Sequence, residues 1–160
     1  MDVENWKSLG LPSSKELAKN QNLPLMPDLL NGCDTLESAL SQIRTWLGVE
    51  IGGTVQIRTP IGIRTIDDKW LEHIVIKREA TREKYVNLVI PTLNSPNEIW
   101  LSDYEEGKRE RYLKYWRNGN KAMLVVVHIQ NGDVLWNVIP MPIRSVDRQR
   151  EGNLLWKKYQ

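Results

Sequence analysis

A chain of 160 residues, 41% hydrophobic and 26% charged, is long and apolar enough for one or two small domains with a real core, which excludes disorder throughout. No apolar run approaches the roughly 20 residues that cross a bilayer, and the opening "MDVENWKSLGLPSSKELAKN" lacks the apolar centre of a signal peptide, so a cytoplasmic protein with no membrane partner is expected. One cysteine, Cys33, excludes an internal disulfide, and with only two distant histidines it excludes a zinc site of Cys and His ligands; neither a metal nor another cofactor is expected.

The net charge of +2 hides an uneven distribution. Residues 1–50 hold 4 basic and 7 acidic side chains, against 18 and 13 in residues 51–160. The basic surplus belongs to the second part. There is no Phe, but there are seven Trp and five Tyr, rings that can line a core or stack on bases.

In chain order, residues 1–49 form an extension punctuated by Pro12, Pro24, Pro27 and Asn31-Gly32, loose until "TLESALSQIRTWLGV". There Leu36, Leu40, Ile43 and Leu47 recur at helical spacing, with Asp34 or Thr35 as cap and Gly48 as stop. From Val49 short strands take over. "TVQIRTPIGIRTI" is expected to be a hairpin turning at Thr59-Pro60-Ile61-Gly62. A helix capped by Thr65 or Asp67 follows, with Trp70, Leu71, Ile74 and Val75 inward, then a second helix from about Thr81 to Ile90, burying Tyr85, Leu88 and Val89 and stopping at Pro91. A loop leads to a strand near Glu98 to Leu101. "WRNGNK" and "IQNGDV" each set Asn-Gly between strand-like runs, which predicts a meander over 110–117, 121–129 and 134–140. Residues 147–160 make a mixed tail in which Leu154, Leu155 and Trp156 can dock. The fold class is α+β, with N-terminal helices packed on a twisted antiparallel sheet.

Three clusters could carry chemistry. In a regular helix Lys69, His73 and Lys77 share a face, and lysines one turn away would keep an imidazole neutral and basic; the alternative is a solvated face. Arg78, Arg82 and Tyr85 could cradle a phosphate, or the arginines could pair with Glu79 and Glu83. In "GKRERYLKYWRNGNK", strand alternation puts Arg109, Arg111, Leu113 and Tyr115 on one face and Tyr112, Lys114 and Trp116 on the other. Basic groups between flat rings suit a single-stranded nucleic acid, although charges also guard sheet edges. His128, ending an apolar strand, reads as a packed residue. No Gly-rich phosphate loop, Ser-His-Asp pattern or dinucleotide fingerprint is present, which leaves kinase, hydrolase and Rossmann readings without support.

The run "TPIGIRTIDDKWLEHIVIKREATREKYVNLVIPTLNSPNEIWLSDYEEGKRERYLKYW", followed by "LVVVHIQNGDVLWNVIP", resembles the phage-associated nuclease domains of the barnase, EndoU, colicin and RelE fold group, found at the C-terminus of phage head-morphogenesis proteins and related to polymorphic toxins. The T-P-x-G turn, the "LEHI…KR" helix, the "PTL…P.EIW" loop, the "RYLK" strand and the "LWN" strand carry it. The resemblance covers residues 50–146 and implies a metal-independent ribonuclease that uses the RNA's own 2′-hydroxyl and leaves a 2′,3′-cyclic phosphate. It implies catalytic roles for His73, Arg78, Arg111 and Lys114, with His73 as base and facing the "RYLK" strand. Substrate contacts are expected from Lys77, Arg82, Tyr85, Tyr112, Trp136 and Asn137. RNA, with tRNA one form of it, and a cognate immunity or antitoxin protein are the implied partners. A non-catalytic nucleic-acid-binding or virion-assembly module of the same fold is the alternative.

Overall fold

Two helices precede the first strand in the computed structural model, which describes residues 4–20, 22–76, 82–105, 107–130, 133–135, 141–143 and 147–159. α1 (Ser14–Asn20) was not expected in the leader. It opens at Ser13, whose Oγ accepts from the Glu16 amide at 3.2 Å. α2 (Leu36–Leu47) has the expected stop at Gly48, in the left-handed region at φ 72, and starts with a capping box between Thr35 and Ser38. Ile43 and Leu47 are buried as the spacing predicts, together with Ala39, while Leu36 and Leu40 lie at the core's margin.

The strands are β1 (Thr54–Thr59), β2 (Gly62–Asp67), β3 (Glu98–Tyr104), β4 (Gly107–Asn118), β5 (Lys121–Gln130), β6 (Asp133–Leu135), β7 (Met141–Pro142) and β8 (Asn153–Lys157). They form one sheet in the order β1-β2-β6-β5-β4-β3-β8, with β7 beside β5. The hairpin β1–β2 and the β3–β4–β5–β6 meander are antiparallel, and one parallel register, Thr65↔Asp133, joins them. The hairpin turns at Pro60-Ile61 as expected, with the Thr59 hydroxyl donating to the Gly62 carbonyl at 2.6 Å. The β4–β5 turn falls one residue later than an Asn-Gly-centred loop: Asn118 pairs with Lys121, and Gly119, at φ 62, opens the turn. The shift leaves the faces of both strands unchanged. The other Asn-Gly pair and residues 136–140 of the expected third strand lie outside the described residues.

Two corrections concern the helices between β2 and β3. Asp68–Trp70 is a 3₁₀ turn, and α3 (Leu71–Val75) is only five residues long. Trp70 therefore sits at the rim, 37% exposed, rather than in the stripe. The chain does not stop at Pro91: Arg82–Leu88 is 3₁₀, and α4 (Val89–Asn94) runs through the proline. Pro91 lies in the first turn of α4, where a missing N–H breaks no helical bond.

α2, α3 and α4 cover one face of the sheet, where Ile57, Ile66, Ile99, Tyr112, Trp116, Val125, Val127 and Ile129 meet Ile43, Leu71, Val75, Val89 and Leu93. The other face is half covered by the leader. Leu17 of α1, with Trp6, Leu11 and Leu23, packs on Trp100, Leu113, Tyr115, Leu124 and Val126. The leader is tied at both ends, by Trp6 N to Arg150 O at 3.1 Å and by Met26 N to Arg117 O at 2.8 Å. Under it lies an ion pair with no exposure: Arg150 Nε and Nη2 each donate to Glu98 at 2.7 Å, and Nη1 reaches Asp147 at 3.1 Å and the Pro12 carbonyl at 2.9 Å. Trp100 Nε1 and the Tyr159 hydroxyl also donate to Glu98. Burial pulls the Arg150 pKa down, but the Glu98 bonds first and the Asp147 bond with them outweigh it and leave the pKa raised. The segment set apart as a tail thus supplies both this arginine and the edge strand β8, where Leu154 and Trp156 dock on β3.

Candidate active site

The register of β4 divides its basic residues as the alternation predicts. Arg109 and Arg111 share the leader-side face, and Lys114 points to the helix side with Tyr112 and Trp116. Arg111 is directly opposite His128 of β5, and Tyr104 closes the group from the end of β3. Arg111 Nε donates to the Tyr104 hydroxyl at 2.7 Å, and Nη1 to the Gln149 carbonyl at 3.1 Å. The guanidinium carbons of Arg109 and Arg111 stand 4.4 and 5.2 Å from the centre of the Tyr104 ring, and the His128 ring lies 5.9 Å from it, tilted by 58°.

The charge balance of Arg111 is unlike that of the buried Arg150 and the partly buried Arg44 and Arg64. Arg44 is matched by Asp68, Arg64 by Glu110 in two bonds of 2.7 and 2.8 Å, and Arg150 by Glu98. Arg111, 8% exposed, has only a phenol and a carbonyl as hydrogen-bond partners among the described residues. A cation taken out of water without a counter-charge costs several kcal/mol, a cost that an incoming anion offsets. His128, 7% exposed, is held neutral: burial first, then the charges of Arg111 and Arg109, push its pKa down to about 4. Its Nδ1 is buried and has no hydrogen-bond partner among the described residues. Two guanidiniums, a phenol and a neutral imidazole therefore meet on one sheet face.

The residues expected from the sequence do not converge in this way. His73 does not face the "RYLK" strand. On a helix whose Leu71, Ile74 and Val75 point to the core, position 73 falls on the outer side, and His73 is exposed there. The whole sheet separates that helix layer from Arg111. Lys114 is buried on the helix side, its Nζ donating to the Ser95 carbonyl at 2.6 Å. Tyr112 is fully buried, so it cannot touch a substrate as expected; its hydroxyl donates to Glu110 and Thr59 at 3.2 and 3.3 Å, and burial foremost pushes its pKa up to about 12. Tyr85 is half-buried against the helix-side core, and Arg82 donates from Nη1 to the Ile74 carbonyl at 3.3 Å. Lys77, Arg78, Trp136 and Asn137 lie outside the described residues. His128 and Tyr104 are the members that sequence reasoning missed. The hairpin register held the signal for His128, since it and Arg111 each stand seven residues from the Asn118↔Lys121 pair.

Among the described residues no three His, Cys, Asp or Glu side chains converge in a metal-holding group, and no helix is long and apolar enough to cross a membrane. Comparison with known proteins gives a family. No curated protein and no solved structure matches the chain significantly. The family model described as phage-Barnase-EndoU-ColicinE5/D-RelE like nuclease2 matches residues 45–157, from the end of α2 through β8, and so includes the whole sheet. That match spans well over half of the chain and all of its sheet, and the α+β chain belongs to this phage-associated nuclease family.

Proposed function

We propose that the chain is a metal-independent endoribonuclease whose site is the Arg109, Arg111, Tyr104 and His128 group. The observation that carries this reading is Arg111, a buried guanidinium with neutral partners, beside an imidazole kept neutral by burial and by the arginines. A phosphodiester brings the missing negative charge. Arg111 and Arg109 receive its non-bridging oxygens and stabilise the charge of the pentacoordinate state. His128 takes the proton of the 2′-hydroxyl as that oxygen attacks phosphorus. The bond to the 5′-oxygen breaks, and the Tyr104 hydroxyl, whose oxygen already accepts from Arg111, donates the proton to the leaving group. The products are a 2′,3′-cyclic phosphate and a 5′-hydroxyl. The nucleophile travels within the substrate, so the protein supplies only a base, an acid and a cationic cradle. The same reading carries an RNA partner, tRNA included, a cognate inhibitory protein and a cytoplasmic site of action.

One observation favours the binding module: His128, the base of the first reading, is only 7% exposed. Incubation of the protein with total RNA in EDTA decides between the two. Cleavage to cyclic phosphate ends that is lost in Arg111→Met and His128→Asn supports the enzyme; intact RNA held in a salt-sensitive complex supports the module.

A further inference from the structure

A second buried cation with no counter-charge among the described residues lies on the opposite face of the sheet. Lys114 is 6% exposed, and its one hydrogen-bond partner among the described residues is the Ser95 carbonyl, just beyond α4. A lysine on a helix-terminal carbonyl is a familiar cap, but that contact satisfies one of three ammonium donors. The backbone places a second lysine beside it. Asn97 N donates to Leu113 O at 2.6 Å, Tyr115 N donates to Asn97 Oδ1 at 2.9 Å, and Lys158 N donates to Asn97 O at 2.9 Å. Lys158 thus continues the edge strand one chain away from Lys114, two residues after Trp156, which packs on the helix-side core. The two charges repel: burial first, then Lys158, lowers the Lys114 pKa to about 8. The Lys114 ammonium also sits 5.0 Å from the centre of the Trp116 ring, and Trp116, 4% exposed, keeps its own Nε1 buried and without a partner among the described residues.

We infer that Lys114, with the Trp116 indole beside it, and Lys158 form an anion site for a phosphate group, separate from the Arg111 site and on the other side of the sheet. A phosphate there accepts from the ammonium donors that the Ser95 carbonyl leaves over and offsets the repulsion between the lysines. The inference stands apart from the reading of the Arg111 site, because each rests on its own unbalanced cation.

The test is a titration of the full chain with inorganic phosphate, followed by two-dimensional amide NMR, with Lys114→Met, Lys158→Met and Arg111→Met in parallel. Methionine preserves most of the side chain's volume, so each variant is expected to fold. The expected result is a saturable shift of the Ser95, Asn97 and Lys158 amides, about tenfold weaker or more in Lys114→Met and Lys158→Met and unchanged in Arg111→Met. A second arm replaces phosphate with a short single-stranded RNA. The same amides moving at lower concentration identify the backbone of a nucleic acid as the source of the phosphate; movement with inorganic phosphate alone identifies a free-phosphate site. Amides that stay still with both ligands overturn the inference, as do shifts that both lysine variants retain unaltered. Loss of the Tyr104 and Arg111 amide shifts in Arg111→Met, with those at Ser95 kept, leaves the two sites independent.

Discussion

Acidification should destabilise the fold through His128, over a defined range. The imidazole has a pKa near 6.5 in an unfolded chain and about 4 in the folded one. As pH falls below 6.5 the unfolded state takes up a proton that the folded state refuses, so stability is full above that pH and declines until the folded imidazole titrates near pH 4. At about 1.4 kcal/mol for each pH unit, the loss across the window is about 3 kcal/mol. Screening reduces this little, because the side chain is almost wholly buried. Urea unfolding from pH 7 to pH 4.5 measures it, with His128→Asn as the reference. Every other ionisable group is common to both proteins, so its effect cancels in the difference. The parent's stability should fall by 2 to 3 kcal/mol more than the variant's, a figure of about the size given by the linkage relation. Parallel pH curves would refute the claim that Arg109, Arg111 and burial hold His128 neutral.

Further outcomes follow from the same contacts. Arg111→Met removes an unbalanced buried cation, so thermal unfolding should show stability equal to or above the parent's, while cleavage of an RNA oligomer falls by about two to three orders of magnitude. Glu98→Gln keeps the shape but leaves Arg150 with Asp147 alone, and chemical denaturation should register a cost of about 3–5 kcal/mol. Gly152→Ala should cost roughly 2 kcal/mol or more in the same assay, since a Cβ there runs into the Leu101 carbonyl and φ is +106. His73→Ala, at an exposed position, should change stability by less than about 0.5 kcal/mol and leave RNA cleavage intact.

The strands were legible because their turns carry their own chemistry. Thr59-Pro60 and Asn118-Gly119 mark two hairpins, and the alternation in "RERYLKYW" already placed Arg111 and Lys114 on opposite faces. That alternation, followed consistently, argues against one site containing both residues. Motif resemblance grouped them because it compares positions along the chain and not faces. His73 took its catalytic role from the motif resemblance and not from its spacing, which left a solvated face open, and three buried residues on a five-residue helix fix which way the helix turns. His128 looked inert because its strand is apolar, while the charge that matters comes from the neighbouring strand. The leader's role was hidden too: the partners that bury Ser14 and Leu17 are Tyr115, Asp147 and Trp100, more than 80 residues away. Local periodicity cannot report such a contact.

The central claim is that Arg111 and His128 form the site at which RNA is cut. The most direct measurement is the rate and end chemistry of cleavage of a single-stranded RNA in EDTA by the parent, Arg111→Met, His128→Asn and His73→Ala proteins. The account predicts 2′,3′-cyclic phosphate ends from the parent and from His73→Ala, with cleavage lost in the other two. Full activity in His128→Asn, or loss confined to His73→Ala, would contradict it.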